Sequence, residues 1–212
     1  LHCNRSITEA KTLAEQIQGM GRRAVVVRGD LIDADTPPRI VAEAVAALGR
    51  LDVLVNNASV FDSAAIQAWT DEHWQRTLVI NAVAPAMLAR AAAEHMQKAG
   101  QGRIVNLTDI MVDRPGPELA AYCASKAALV SITRSLAREL APEITVNGVS
   151  PGIAIFPEYY SQELREKLVN RVPLQRSGSP EEIASVVRFL VATADYVTGQ
   201  ILAVDGGRSV VQ

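Results

Sequence analysis

Cysteine is scarce. Cys3 and Cys123 are the only two in 212 residues, too few for a disulfide framework and without the spacing of a metal site. His2, His73 and His95 are scattered and form no ligand cluster. Charge of one sign is lacking as well. Lys and Arg number 21 against 23 Asp and Glu, a net charge of −2, with no block of five or six like charges. Nothing in that balance attracts nucleic acid or an anionic membrane surface. No apolar run approaches the ~20 residues of a membrane helix, and the first residues lack the layout of a signal peptide. These absences point to a cytoplasmic globular protein. At ~100–200 residues per domain the length fits one large domain with a sizeable core.

Short apolar, β-rich runs at 23–28, 52–56, 103–108, 144–149 and 200–204 alternate with longer helical patterns. Runs nearly continuous in apolar residues are expected of strands covered on both faces, as in a parallel sheet. Ser6-Ile7-Thr8-Glu9 has the form of a capping box and opens a helix to about Gly19. Thr36-Pro37 offers an N-cap and a proline at N1 for a helix that Gly49 stops. An alanine-rich helix is expected over 75–99, ending at Gly100, and another over 118–141, just before Pro142. Ser179-Pro180-Glu181-Glu182 starts the last helix with cap, N1 proline and N3 glutamate. The alternation predicts an α/β fold, a single Rossmann-type domain with a doubly wound parallel sheet. Ligands bind such sheets beyond the carboxyl ends of the strands, which directs attention to residues 4–6, 29–31, 57–61, 109 and 151–156.

Tyr122 and Lys126, in the stretch Tyr122-Cys-Ala-Ser-Lys126, lie four residues apart and so on one face of a helix. A phenol with a pKa of ~10 is a poor proton relay at neutral pH, and a neighbouring ammonium would stabilise its anion. Other pieces accompany the pair: Asn56-Asn57-Ala58-Ser59 after a strand, Asn81 within an apolar helix, Val146 to Gly152 entering a Pro-Gly turn, and Val204-Asp205-Gly206-Gly207 after the last strand. Each alone is ordinary turn chemistry.

Together, in this order, NNAS at 56–59, Asn81, YCASK at 122–126, VNGVSPG at 146–152 and VTGQILAVDGG at 197–207 resemble the short-chain dehydrogenase/reductase family across essentially the whole chain. The resemblance implies hydride transfer with a nicotinamide cofactor. Tyr122 would be the proton donor, Lys126 the holder of the nicotinamide ribose, and Asn81 the anchor of a water leading to Lys126. It further implies cofactor contacts from Asn57, Ala58, Ser59, Pro151, Gly152 and Ile153, with Asp30 and Leu31 flanking the adenine. The family opens with a strand and a glycine-rich phosphate loop that residues 1–212 do not contain. The chain therefore reads as the C-terminal majority of a longer protein, with its sheet lacking a central strand.

Most members carry a serine 13 positions before the tyrosine; here Asp109 stands there. A carboxylate opposes ionisation of the phenol and repels a developing alkoxide. It suits a substrate that must gain a proton on nitrogen. Asp109, Tyr122 and Lys126, with Phe61 after the Asn57-Ala-Ser59 turn, resemble the pteridine reductases. That resemblance stacks Phe61 on a pterin and gives Ser59, Asp109, Tyr122 and Phe156 as substrate contacts. It makes residues 153–174 a substrate lid and implies a homotetramer built on the two long helices and the last strand. Phe156, Tyr159 and Tyr160 either line the pocket or pack the lid. Asn4, Arg5 and Ser6 fit the end of the second strand of the family's sheet, where a carboxylate would select NAD. Arg5 and Ser6 suit a 2′-phosphate instead, so NADPH is the expected cofactor. The expected reaction is reduction of a dihydropterin, biopterin or dihydrofolate. Two alternatives stay open: a carbonyl reductase of the 3-oxoacyl-carrier-protein type, and an NADP-binding regulator without catalysis.

Overall fold

The structure, a computed structural model, describes residues 1–211. Six parallel strands form two sheets. In one, β1 (His2–Cys3) pairs with β2 (Val27–Arg28). In the other, β3 (Val53–Asn56), β4 (Gly102–Leu107), β5 (Ile144–Pro151) and β6 (Ile201–Val204) lie side by side in sequence order. No ladder bond joins β1 to β3 among the described residues. β2 is shorter than the apolar run at 23–28: its ladder covers only Val27 and Arg28, opposite His2 and Cys3.

The helices cover both faces. On one, α4 (Ala84–Lys98) and α5 (Ala120–Glu139) bring Ala89, Ala92, Met96 and Ala137 onto Ile104 and Val146. On the other, α7 (Pro180–Ala192) sets Leu190 against Val105 and Val149. Ile104 and Val105 thus point to opposite sides of β4, the period-2 alternation of a strand buried twice. α2 (Thr36–Leu48) extends the first layer by packing on α4.

Local signals are realised unevenly. The capping box at Ser179 forms in full, with Glu182 N donating to the serine hydroxyl and Ser179 N to the Glu182 carboxylate. The one expected at Ser6 does not form: α1 (Ile7–Gly19) starts where expected, but Ser6 makes no side-chain cap. The N-cap position of α2 falls on Asp35, which makes no side-chain cap bond, rather than on Thr36, so Thr36 stands at N1 and Pro37 at N2. Gly49 ends it at φ +89°, where glycine carries no Cβ penalty.

The helix expected over 75–99 starts earlier and is interrupted. α3 (Asp71–Leu78), capped by Thr70, runs into a π turn at Val79–Val83 before α4. Pro85 supplies the reason. It has no N–H for the Asn81 carbonyl four residues before it, so the helix loses a rung and widens there. The break turns Asn81, fully buried, toward the site.

Candidate active site

α5 presents Tyr122 and Lys126 on its buried face, one turn apart. The Tyr122 hydroxyl donates to Asp109 Oδ2 at 2.7 Å. Asp109 Oδ1 accepts from Met111 N at 2.8 Å, capping the short 3-10 turn Ile110–Val112 that follows β4. The same carboxylate is thus turn cap and phenol partner, and the backbone bond fixes its aim. Burial pushes the phenol pKa well up, and the Asp109 charge and its hydrogen bond push it further. The lowering expected from Lys126 is not among the effects acting on the phenol. Lys126 Nζ donates to the Leu107 carbonyl at 2.8 Å and lies 5.8 Å from the phenol ring centre. Its own pKa is pushed down to about 8 by burial, against the pull of Asp109.

The Asn81 side chain makes no direct hydrogen bond to Lys126. Its side chain accepts from Val60 N at 2.8 Å and Ser59 Oγ at 3.1 Å, and donates to the Val60 carbonyl and to Ser125 Oγ. Ser125 in turn donates to the Tyr122 carbonyl at 2.6 Å. Asn81 and Ser125 thus lock the 57–60 turn to the helix that carries the tyrosine. Ser125 is buried inside the YCASK stretch, yet nothing in its sequence position marks it for this task. Below it, Asn56 Nδ2 donates to Asn106 Oδ1, and Asn106 Nδ2 to Thr133 Oγ1, each at 2.8 Å, stitching β3 and β4 to α5.

A cavity of about 980 Å³ opens beside the pair. Asp109, Phe61, Gly152, Ile153, Phe156 and Tyr160 line it. Phe61 meets the Tyr122 ring edge to face at 4.8 Å. Phe156 and Tyr160 belong to the wall, whereas Tyr159 is 76% exposed, with its ring 5.1 Å from that of Tyr160. The volume sits at the upper end of small-molecule pockets. Residues 153–174 contain α6 (Gln162–Val169), and Arg165 ties this segment together. It donates to the carbonyls of Pro157, Glu158 and Tyr160, with its guanidinium 5.6 Å from the Phe156 ring. At the base, a Cβ on Gly152 would come within 2.8 Å of the Asp205 Cα, so only glycine lets the end of β5 pass the turn after β6.

The residues expected to meet the cofactor gather at the carboxyl ends of the strands. Asn57, Ala58 and Ser59 are exposed after β3, and Pro151 and Gly152 close β5. Arg5 and Ser6 are exposed between β1 and α1. The Asp30 carboxyl is held below its ordinary range chiefly by the Ile32 N–H, with a smaller lowering from Asn4. Leu31 departs from expectation. Its side chain is buried with Val41 and Leu88, so only its backbone is left to face a ligand. Cys123, next to the tyrosine, is buried, and burial pushes its thiol pKa up, the opposite of an activated nucleophile.

A family model described as enoyl-(acyl carrier protein) reductase matches residues 2–209. An uncharacterized oxidoreductase of Methylorubrum extorquens is 38% identical over 205 residues, covering 93% of this chain and 82% of that protein. The 3-oxoacyl-[acyl-carrier-protein] reductase FabG of Staphylococcus aureus is 33% identical, covering 94% and 82%. Among solved structures, FolM alternative dihydrofolate reductase 1 of Brucella canis, complexed with NADP, superposes with a TM-score of 0.92 at 34% identity, covering 100% of this chain and 83% of that one. With the tyrosine, lysine and asparagine assembled on this sheet, the chain belongs to the short-chain dehydrogenase/reductase family of oxidoreductases.

Proposed function

We propose that this protein is an NADPH-dependent reductase of pterins that acts on a ring C=N bond. The observation that carries the reading is the 2.7 Å hydrogen bond from Tyr122 to Asp109. A phenol pushed up by burial and by a carboxylate keeps its proton through neutral pH. The phenol is therefore protonated when hydride is transferred, the state that reduction needs, whereas alcohol oxidation would need its anion as base. The carboxylate next to it would repel an alkoxide but can hold and relay a proton to a ring nitrogen. Phe61, against the phenol, offers an aromatic face for a flat heterocycle. Residues 153–174 would close over the substrate as a lid, with Phe156 and Tyr160 inward.

The donors present fit a nicotinamide dinucleotide phosphate. Residues 1–6 contain no carboxylate to take a ribose hydroxyl. Arg5 forms no ion pair among the described residues, and the Ser6 hydroxyl is left out of capping at the start of a 13-residue helix. Both suit a 2′-phosphate. The bound cofactor would supply the hydride. Lys126 would hold its ribose, Asn57 to Ser59 and Pro151 to Ile153 would border it, and Asn4 with Asp30 would meet the adenine end. The Brucella canis relative, named a dihydrofolate reductase and complexed with NADP, supports this reading.

The relation to FabG favours a second reading, reduction of a 3-oxoacyl thioester. Steady-state NADPH oxidation with dihydrobiopterin, dihydrofolate and an acetoacetyl thioester separates the two. Turnover of the pterins is expected; turnover of the thioester alone would overturn the proposal. NADPH binding without turnover of any of the three would favour a regulator.

A further inference from the structure

Three arginines from distant parts of the chain line the cavity that Asp109 and Phe61 open into. Arg114 follows the 3-10 turn after β4, Arg171 follows α6, and Arg208 opens the 3-10 turn Arg208–Val210 after β6. Elsewhere in the molecule five arginines pair with carboxylates: Arg39, Arg50, Arg76, Arg103 and Arg176. Among the described residues none of the cavity arginines does. Arg114 Nη1 donates to the Arg208 carbonyl at 3.2 Å and Arg208 Nη1 to the Leu168 carbonyl at 3.3 Å. The Arg171 side chain makes no hydrogen bond among the described residues.

Asp205, the acidic group that acts on Arg208, is engaged by the N–H groups of Gly207 and Ser209, at 2.9 and 2.6 Å. Burial lowers the Arg208 pKa first, and the charges of Arg171 and Arg114 lower it further. Holding three like charges around one cavity is unfavourable unless an anion completes the arrangement.

We infer that Arg114, Arg171 and Arg208 form an anion subsite of the substrate cavity that takes the carboxylates of a substrate tail, so that a pterin carrying an aminobenzoyl-glutamate tail is preferred over a tailless one. Guanidinium groups match carboxylates through paired parallel N–H donors. The apolar wall of the cavity at Phe156 and Tyr160 also suits an aromatic linker. The inference rests on the pterin reading, so tail binding is measured apart from turnover.

Aminobenzoyl-glutamate, which has the carboxylates and no pterin ring, is titrated calorimetrically against the full chain, the R171Q variant and the R171Q/R208Q variant. R171Q removes a charge without removing a hydrogen bond, so its fold is preserved. Binding is expected to weaken roughly tenfold or more in the double variant, as loss of charge-assisted hydrogen bonds predicts, and less in R171Q. The ratio of kcat/KM for dihydrofolate to that for dihydrobiopterin should fall in parallel and shrink with added salt.

Equal binding by wild type and variants, or an unchanged ratio, would overturn the subsite. Coenzyme A, titrated alongside, tests phosphate as the source of the anion; tighter arginine-dependent binding of coenzyme A than of the glutamate fragment would also overturn the carboxylate assignment. Arginine-dependent fragment binding in an enzyme that reduces no pterin would support the subsite and count against the proposed function alone.

Discussion

Asp109 accepts on both oxygens, one bond from its own turn and one from the phenol. That double engagement is why a turn-forming aspartate and a chemical aspartate need not be rival descriptions of it. The spacing of Tyr122 to Lys126 was legible in the chain because helical periodicity maps spacing onto a face, whereas Asp109, in the turn before that helix, stood out only through the family resemblance. The height of the phenol pKa was not legible, since it comes chiefly from burial. Lys126 gives a direct test of that burial. Its pKa falls from 10.5 to about 8 in the folded protein. Below pH 8 the ammonium is kept at a cost; between 8 and 10 the unfolded chain binds more protons, so this site adds stability as pH rises. Relative to K126M, wild type should gain stability on the order of 3 kcal/mol between pH 8 and 10.5 from that shift, and most of the gain should be seen by pH 10. Denaturant unfolding across this range measures it, and parallel curves for the two proteins would contradict it.

At the scale of elements, the strands and the first turn of the last helix could be read because their signals are local. Ser179 meets its partners within three residues. S179A should therefore cost about 1 kcal/mol in unfolding free energy, the usual worth of such a cap. The π turn could not be read, because alanine-rich helix patterns continue through it and only Pro85 interrupts the backbone bonding. Ser6 shows the converse, a cap pattern whose hydroxyl is left unused. Residues 153–174 are held by Arg165, whose three carbonyl acceptors lie between Pro157 and Tyr160. R165A should expose this segment, raising its rate of limited proteolysis several-fold over the rest of the chain. An unchanged cleavage pattern would mean that the segment is held by its apolar contacts instead.

Over the whole molecule, two parallel sheets with helices on both faces bring residues 4–6, 30, 57–61, 109, 122–126 and 151–156 to the carboxyl ends of the strands. That convergence follows from βαβ topology, which is why the positions of a site spread along the chain could be anticipated. Arg114, Arg171 and Arg208 escaped the same reading, because no periodicity links a loop, a helix end and a final turn. Large apolar groups remain exposed on the outer helices and beyond α7, among them Val83, Met87, Phe189 and Tyr196. A homotetramer is proposed on the family resemblance alone, with sedimentation at four times the single-chain mass as the expected result; a monomer at micromolar concentration would contradict it. The central claim concerns one carboxylate beside one phenol. Its most direct test is dihydrobiopterin reduction by D109S, with NADPH affinity measured in parallel. The variant should lose turnover by roughly a hundredfold or more, the usual span of general acid–base effects, while its NADPH Kd stays within a few-fold. Turnover equal to wild type would contradict the account.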